Sequence, residues 1–334
     1  MILMKKCVAL FVSLLLTVLL VVPAFAAADN GSFGAYEHVI ILGVDGAGRF
    51  FGETDTPNFD RIFQSGAVDY TARAETITTS AQNWGAILCG VSYLRHALTN
   101  DIAGSAERSG STEYPTIFTY ARKAFPEAEL AAFVNWGAIT KGIVENDQDV
   151  TEVQISDDEK LTDAICEYFD AGNAPKLFFS QFDSVDHVGH EFGSKAPEFF
   201  AQIRTIDGCI GKIYDTLEKN GLLDSSLILL VADHGHTVRG GHGGPTMRET
   251  NVTIAAAGKT VVAGGTFDRD TRNRDVAAIA LYALGIERPE HMSARMPANL
   301  FNDVAGEKRS VKNEWPDTII SKLAWLVTLC TAWI

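Results

Sequence analysis

The sequence predicts an α/β protein with a central, mostly parallel sheet and helices on both of its faces. Short apolar runs rich in β-branched residues, such as residues 38–44 (HVIILGV), alternate with amphipathic segments of helical length. These runs are apolar at successive positions, as expected for strands that are buried on both faces. Polar residues directly follow three of the runs, and sheets of this kind bind ligands at the carboxyl ends of their strands. The functional site is therefore expected at that edge of the sheet.

The further elements continue this alternation along the chain. Apolar runs predict additional strands at residues 129–136, 176–182, 227–232 and 253–258, and residues 68–76 (VDYTARAET) are predicted to form a further strand. Amphipathic patterns predict helices at residues 57–66, 80–90, 116–126, 157–172, 197–221 and 271–286. Gly90 and Gly221, at the ends of two of these helices, are typical C-cap residues. Residues 183–193 (DSVDHVGHEFG) are predicted to form a polar loop.

Both ends of the chain are predicted to lie outside the main domain. A basic start, an apolar stretch at residues 8–22 and small residues after it are typical of a secretory signal peptide. We therefore expect residues 1–26 to be removed and the mature protein to be exported. Residues 27–305 form one predicted domain, and residues 306–334 form an extension. Its apolar tail, residues 323–334, is short for a transmembrane helix, so packing on the domain and peripheral membrane contact both stay open.

The charge of the chain limits the classes of partner. The formal net charge is −14 at pH 7. An acidic surface repels phosphate backbones and anionic lipids, so nucleic acid is not expected as the main partner. Bound divalent cations would offset part of this negative charge.

Two sets of candidate metal ligands follow predicted strands. Asp186 and His190 have the spacing D-x-x-x-H, which puts a carboxylate and an imidazole on the same side of a helical turn or a tight loop. They form one set together with His242, which lies in a glycine-rich loop. The second set consists of Asp45, Asp233 and His234. Such ligands suit zinc, with manganese and iron as alternatives, and two neighbouring divalent ions are a common catalyst of phosphoryl transfer.

A hydroxyl nucleophile is expected at the start of a helix beside these ligands. The run TITTSAQNW offers Thr78, Thr79 and Ser80 just before or at the start of the helix predicted at residues 80–90. A helix N-terminus favours an anion and presents free backbone N–H groups to a phosphate. A metal ion would lower the pKa of the hydroxyl and remove the need for a histidine base. The same run is also typical of a simple N-cap, so the residues alone leave the nucleophile open.

The chain resembles the alkaline phosphatase superfamily, and within it the type I phosphodiesterase/nucleotide pyrophosphatase family. The resemblance covers about residues 36–290. It rests on five segments in the family's order: GVDGAG, TPNFDRIFQSGA, TTSAQNWGAILCG, FDSVDHVGHEFG and ADHGHTVRGGHGG. It implies an alkaline-phosphatase-like fold and a two-zinc site that uses the two ligand sets named above.

The resemblance also implies individual roles. It assigns the nucleophile to Ser80, which would also contact the ion of Asp45, Asp233 and His234. It implies that Asn83 holds a phosphoryl oxygen. The sequence departs from the family's phosphodiesterases at the nucleophile, where Ser80-Ala81-Gln82 replaces their usual threonine, aromatic and proline. The short loop between Asp233 and His242 is closer to phosphatase-like and sulfatase-like members.

The expected function is therefore that of an exported two-metal hydrolase of small phosphate esters, with phosphodiester or nucleotide pyrophosphate bonds preferred, acting through a phosphoseryl intermediate. An alkaline-phosphatase-like phosphomonoesterase is the main alternative. A phosphotransferase, a phospholipid headgroup transferase and a sulfatase-like hydrolase are further alternatives, although the C/S-x-P-x-R motif of sulfatases is missing at Ser80. A metal-binding module without catalysis would leave the hydroxyl beside the ligands unexplained.

Overall fold

A computed structural model describes residues 31–309 of the chain. Seven strands form one sheet in this part, in the order β2-β7-β6-β1-β5-β3-β4. Their bounds are β1 His38–Val44, β2 Ala67–Arg73, β3 Leu130–Val134, β4 Thr151–Gln154, β5 Leu177–Phe182, β6 Ser226–Ala232 and β7 Asn251–Ala257. Strands β4, β3, β5, β1 and β6 run parallel to one another, β7 is antiparallel to β6, and β2 is antiparallel to β7 at that edge. The predicted fold class is thereby confirmed.

The sheet is buried because its central strands are apolar on both faces. Every residue of β1, β5 and β6 is buried, which explains why these strands are apolar at successive positions. In the register of the sheet, Val44 of β1 lies opposite Phe182 of β5 and Ala232 of β6. The three strands therefore end at the same level, and the residues that follow them emerge side by side.

Helices cover the sheet, and sequence signals explain several of their boundaries. Their bounds are α1 Pro57–Phe63, α2 Ser80–Cys89, α3 Tyr93–His96, α4 Asn100–Ser105, α5 Ile117–Ala124, α6 Ala138–Gly142, α7 Asp158–Asp170, α8 Ser184–Phe192, α9 Pro197–Lys219, α10 Met247–Thr250 and α11 Asp275–Ala283. Pro57 and Pro197 open α1 and α9, where a missing N–H costs nothing. Gly90 ends α2 with a φ of 65°, which is the left-handed conformation that glycine adopts easily.

The structure differs from the sequence prediction of a loop at residues 183–193, because Ser184–Phe192 form helix α8. Polar residues and Gly189 hide the helical pattern in the sequence. The helix begins where Asp158 accepts hydrogen bonds from the backbone N–H and the hydroxyl of Ser184, the former at 2.9 Å. This contact comes from a distant segment, so a local pattern could not reveal it. Strand β4 and the short helices α3, α4, α6 and α10 were also not predicted.

The predictions for the two chain ends lie outside the described residues. These are the signal peptide at residues 1–26 and the apolar tail at residues 323–334, and the domain boundaries stay predictions as well. Within residues 31–309, no helix has both the length and the apolar character needed to cross a membrane.

Candidate metal centre

The predicted ligands meet at the carboxyl edge of the sheet. Asp45 follows β1 directly, and Asp233 and His234 follow β6. Helix α8 follows β5 and carries Asp186 and His190 one turn apart. His242 reaches the same place from the loop between β6 and α10. The structure therefore brings all six predicted ligands together from three regions that are far apart in sequence, residues 45, 186–190 and 233–242.

Asp45, Asp233 and His234 form the first group, and all three are buried. The Nε2 atom of His234 lies 3.5 Å from Oδ1 of Asp45 and 3.3 Å from Oδ2 of Asp233. The other ring nitrogen of His234, Nδ1, lies 3.4 Å from the backbone oxygen of Gly235. With its proton on Nδ1, the ring presents the bare lone pair of Nε2 to the two carboxylates.

Each carboxylate of this group has one oxygen held by the protein and one oxygen without a partner. Oδ2 of Asp45 accepts hydrogen bonds from Nε1 of Trp84 at 2.7 Å and from Nε2 of Gln181 at 3.0 Å. Oδ1 of Asp233 accepts from the backbone N–H groups of Gly46 and His234, at 3.0 and 2.7 Å. The remaining oxygens, Oδ1 of Asp45 and Oδ2 of Asp233, are buried without a hydrogen-bond donor. These are the two oxygens that face His234.

Two buried acceptors without donors are costly unless a cation occupies the space between them. Burial, followed by the charges of nearby carboxylates, raises the pKa of Asp45 well above its usual value. Burial is also the main reason why the pKa of Asp233 is raised, and why that of His234 is lowered. A divalent cation would reverse the penalty for both carboxylates, because it favours their charged form. The chemistry of this group thus fits a metal ion.

Asp186, His190 and His242 form the second group, which is more open to solvent. Oδ2 of Asp186 lies 3.3 Å from Nε2 of His190, and Oδ1 lies 3.6 Å from Nε2 of His242. The two imidazole Nε2 atoms are 3.0 Å apart. Nδ1 of His242 lies 2.6 Å from the backbone oxygen of Thr78, which fixes the ring and leaves Nε2 free to bind an ion. The hydrogen bonds of Asp186 with its histidine neighbours outweigh its burial, so its pKa is lowered.

The spacing within both groups matches that of metal ligands. Four ligands at about 2.0–2.1 Å around a tetrahedral ion are about 3.3 Å from one another. The contacts given above for the two groups run from 3.0 to 3.6 Å. The groups also adjoin, because the rings of His234 and His242 stack with their centroids 4.0 Å apart. Asp/His sets of this kind are typical of zinc, and manganese and iron remain compatible.

Ser80 stands beside the first group. It is the first residue of α2 and is 9% exposed, and its Oγ lies 3.4 Å from Nε2 of His234. Thr78 is a poorer candidate nucleophile, because its hydroxyl donates to the backbone oxygen of Gly244 at 2.8 Å. The hydroxyl of Thr79 is buried and has no hydrogen-bond partner. Among the three hydroxyls, that of Ser80 is the one that contacts a candidate ligand.

The structure corrects the role expected for Asn83. Its side chain is fully buried and accepts hydrogen bonds from the backbone N–H of Glu75 at 2.8 Å and from Asn273 at 2.9 Å. Its NH₂ group donates to the backbone oxygens of Ile77 and Thr79, at 3.1 and 3.0 Å. No donor is left for a phosphoryl oxygen, so Asn83 holds the segment before α2 in place.

Asn100 occupies a position that the sequence did not reveal. Its Oδ1 accepts a hydrogen bond from the backbone N–H of Ala81 at 2.9 Å, which puts the amide at the N-terminus of α2 next to Ser80. Asn100 is exposed, and no hydrogen bond of its NH₂ group is recorded with the described residues. It therefore has the free donors that Asn83 lacks. Only the folding of α4 onto α2 brings it there.

Comparison with known proteins gives a family match. The family model described as type I phosphodiesterase / nucleotide pyrophosphatase matches residues 39–239. This range includes β1, the start of α2, helix α8 and the end of β6. It contains Ser80 and every predicted ligand except His242.

The curated relatives carry a different name. GPI ethanolamine phosphate transferase 2 of Yarrowia lipolytica is 21% identical over 243 residues, which are 70% of this chain and 28% of that protein. GPI ethanolamine phosphate transferase 2 of Aspergillus fumigatus is 23% identical over 241 residues, which are 69% of this chain and 31% of that protein. The chain thus spans less than a third of the length of these relatives.

Solved structures show the same fold. An inactive variant of murine ectonucleotide pyrophosphatase/phosphodiesterase 5, in complex with AMP, has a TM-score of 0.62 at 13% identity, covering 83% of this chain and 98% of that chain. A 2-O GAG sulfatase has a TM-score of 0.60 at 12% identity, covering 77% of this chain and 72% of that chain. At such low identity the likeness concerns the fold alone.

Proposed function

Since this chain belongs to the type I phosphodiesterase/nucleotide pyrophosphatase family of the alkaline phosphatase superfamily, we propose that it is a two-metal hydrolase of phosphate esters. The observation that carries the proposal is the hydroxyl of Ser80 at 3.4 Å from Nε2 of His234, within a group of three candidate ligands that adjoins a second such group. A nucleophile at a helix N-terminus beside two cation sites suits attack on phosphorus.

The chain's own residues supply the nucleophile and its support. Divalent ions in the two groups, zinc being the ion expected, would lower the pKa of a hydroxyl and stabilise the charge of a phosphoryl group and its leaving oxygen. Ser80 Oγ attacks phosphorus, forms a P–O bond and releases the first alcohol or phosphate. Water then cleaves the phosphoseryl bond and restores the hydroxyl of Ser80. The NH₂ group of Asn100 is our candidate to hold a phosphoryl oxygen during both steps.

We propose a phosphodiester or nucleotide pyrophosphate as the preferred substrate. The description of the family and the AMP complex of a protein with the same fold support this class. The serine at position 80, where the family's phosphodiesterases usually have threonine, keeps a phosphomonoester as the alternative. The chain is further proposed to be exported after removal of residues 1–26. N-terminal sequencing of the exported protein should then begin at Ala27 or within the next two residues.

Substrate comparison and one substitution test this function. Rates with bis(p-nitrophenyl) phosphate should exceed those with p-nitrophenyl phosphate, and p-nitrophenyl sulfate should not be turned over. Ser80→Ala should abolish turnover of the diester while the metal content stays unchanged. Thr79→Ala removes the neighbouring hydroxyl, which has no hydrogen-bond partner, and serves as the matched control with a near-normal rate. A Ser80→Ala variant with a near-normal rate would show that Ser80 is not the nucleophile.

Transfer of a phospholipid headgroup is a second candidate. The curated relatives are named as ethanolamine phosphate transferases, and exposed apolar side chains lie on the segments that carry or flank the site. These side chains are Ile77, Leu94, Ile102, Phe192, Val238 and Met247. Vesicles of phosphatidylethanolamine with glycerol as the acceptor distinguish the two reactions. A transferase would yield mainly the phosphodiester of the acceptor by ³¹P NMR, whereas a hydrolase would yield mainly phosphoethanolamine.

A further inference from the structure

His236 lies next to the candidate metal ligands but belongs to neither of the two proposed groups. Its side chain is fully buried. Nε2 lies 2.9 Å from Oδ1 of Asp186, and Nδ1 lies 3.2 Å from the backbone oxygen of Gly240. Its ring centroid is 5.0 Å from that of His190 and 5.2 Å from that of His242. The imidazole therefore stands directly behind the second group.

Two glycines make the space that this ring occupies. A Cβ atom at Gly46 would lie 2.7 Å from Nε2 of His236, and a Cβ atom at Gly189 would lie 2.6 Å from Nε2 and Cδ2. Gly189 is buried within helix α8, where glycine costs about 1 kcal/mol relative to alanine. The helix that carries Asp186 and His190 thus tolerates an unfavourable residue at the point where His236 packs against it.

The hydrogen bonds of His236 favour a donor over a metal ligand. Asp186, His234 and His236 are close enough to form a third candidate group for an ion. However, Nε2 of His236 lies 2.9 Å from Oδ1 of Asp186, the separation of an N–H···O hydrogen bond, whereas Nδ1 lies 3.2 Å from the backbone oxygen of Gly240. The single N–H of the neutral imidazole is therefore assigned to Nε2, where it donates to the carboxylate. A protonated Nε2 has no lone pair to offer to a metal ion.

We propose that His236 is a positioning residue that sets the metal affinity of the second group. By donating to Oδ1 of Asp186, and by filling the space between Gly46 and Gly189, it holds that carboxylate between His190 and His242. Hydrogen bonds of this kind to a ligating side chain typically contribute 10- to 100-fold to metal affinity. This inference rests on the proposed two-metal function.

Titration of the metal-free protein with Co²⁺, followed by its absorption spectrum, tests the inference without substrate. His236→Leu removes the donor and should weaken the binding of one of two Co²⁺ ions by about 10- to 100-fold, with the other ion unchanged. His236→Gln keeps an N–H donor and should recover most of this loss. His38→Leu is the matched control, because His38 is also buried and bonded to a backbone oxygen, that of Pro175 at 2.8 Å, but lies at the opposite end of β1.

Three outcomes would overturn the inference. If His236→Leu binds both ions as wild type does, His236 does not support Asp186. If His236→Gln loses as much affinity as His190→Ala, His236 is itself a ligand and not a positioning residue. If the wild type binds no Co²⁺ at all, the proposed function fails and takes the inference with it. Urea unfolding of each metal-free variant separates these results from a loss of the fold.

Discussion

Replacing Gly189 with alanine should destabilise the protein, although the same replacement at Gly208 should stabilise it. Both glycines lie inside helices, α8 and α9, where alanine is favoured by about 1 kcal/mol. At Gly208 the added Cβ atom would meet nothing within 4 Å, so the full gain is expected. At Gly189 it would lie 2.6 Å from the buried ring of His236.

The magnitude follows from what His236 must give up to make room. Overpacking a buried site costs about 1–3 kcal/mol. Displacing the ring also stretches its hydrogen bond to the carboxylate of Asp186, and a hydrogen bond to a charged group contributes about 1.5–3 kcal/mol. After the helical gain of about 1 kcal/mol, Gly189→Ala should lose about 2 kcal/mol or more of its free energy of unfolding. The two variants should therefore change stability in opposite directions.

Urea unfolding in the presence of a chelator measures this difference without the contribution of bound metal. The same samples, titrated with Zn²⁺ after removal of the chelator, should show weaker binding for Gly189→Ala and unchanged binding for Gly208→Ala. If Gly189→Ala were as stable as Gly208→Ala and bound Zn²⁺ like wild type, the packing of His236 against α8 would have no functional consequence. That result would refute the reasoning.

Four further substitutions test separate parts of the site. Metal-free Asp45→Asn should be more stable than metal-free wild type at pH 8, by about 1–3 kcal/mol, because it removes a buried charge. Since the pKa of Asp45 is raised, the wild-type carboxylate takes up a proton as the pH falls toward 5, and the advantage of the variant should shrink. Urea unfolding at both pH values measures this difference. Trp84→Phe removes the donor to Asp45 and should weaken zinc binding about tenfold in calorimetry, and the cavity left by this fully buried side chain should also lower the free energy of unfolding. Asn100→Ala should lower kcat about 10²- to 10³-fold with unchanged metal content. Asn83→Ala should instead lower the midpoint of urea unfolding.

The sequence was sufficient for the central strands of the sheet and for the positions of the candidate metal ligands. Strands β1, β5 and β6 are apolar at successive positions because both of their faces are buried, so their ends could be located from the pattern alone. Asp45, Asp233 and His234 come directly after those ends. Their meeting therefore followed from the parallel arrangement of the strands, before any contact was known.

The supporting residues could not be predicted, since they depend on contacts between distant segments. Asn100 reaches Ala81 only because α4 folds back onto α2. The expectation for Asn83 rested on its spacing from Ser80, and spacing carries no information on the four hydrogen bonds that bury its side chain. The sequence of residues 183–193 predicts a loop where helix α8 forms, because the residue that holds the start of the helix, Asp158, lies on another helix.

The number of divalent ions bound per chain tests the central claim most directly. Metal-free protein titrated with Zn²⁺, with metal analysis after removal of the unbound ion, should bind two equivalents. His190→Ala should bind one equivalent tightly, and so should Asp233→Asn, because each substitution removes a ligand from a different group. A wild type that binds no zinc, or variants that bind as much zinc as wild type does, would contradict the two-metal centre.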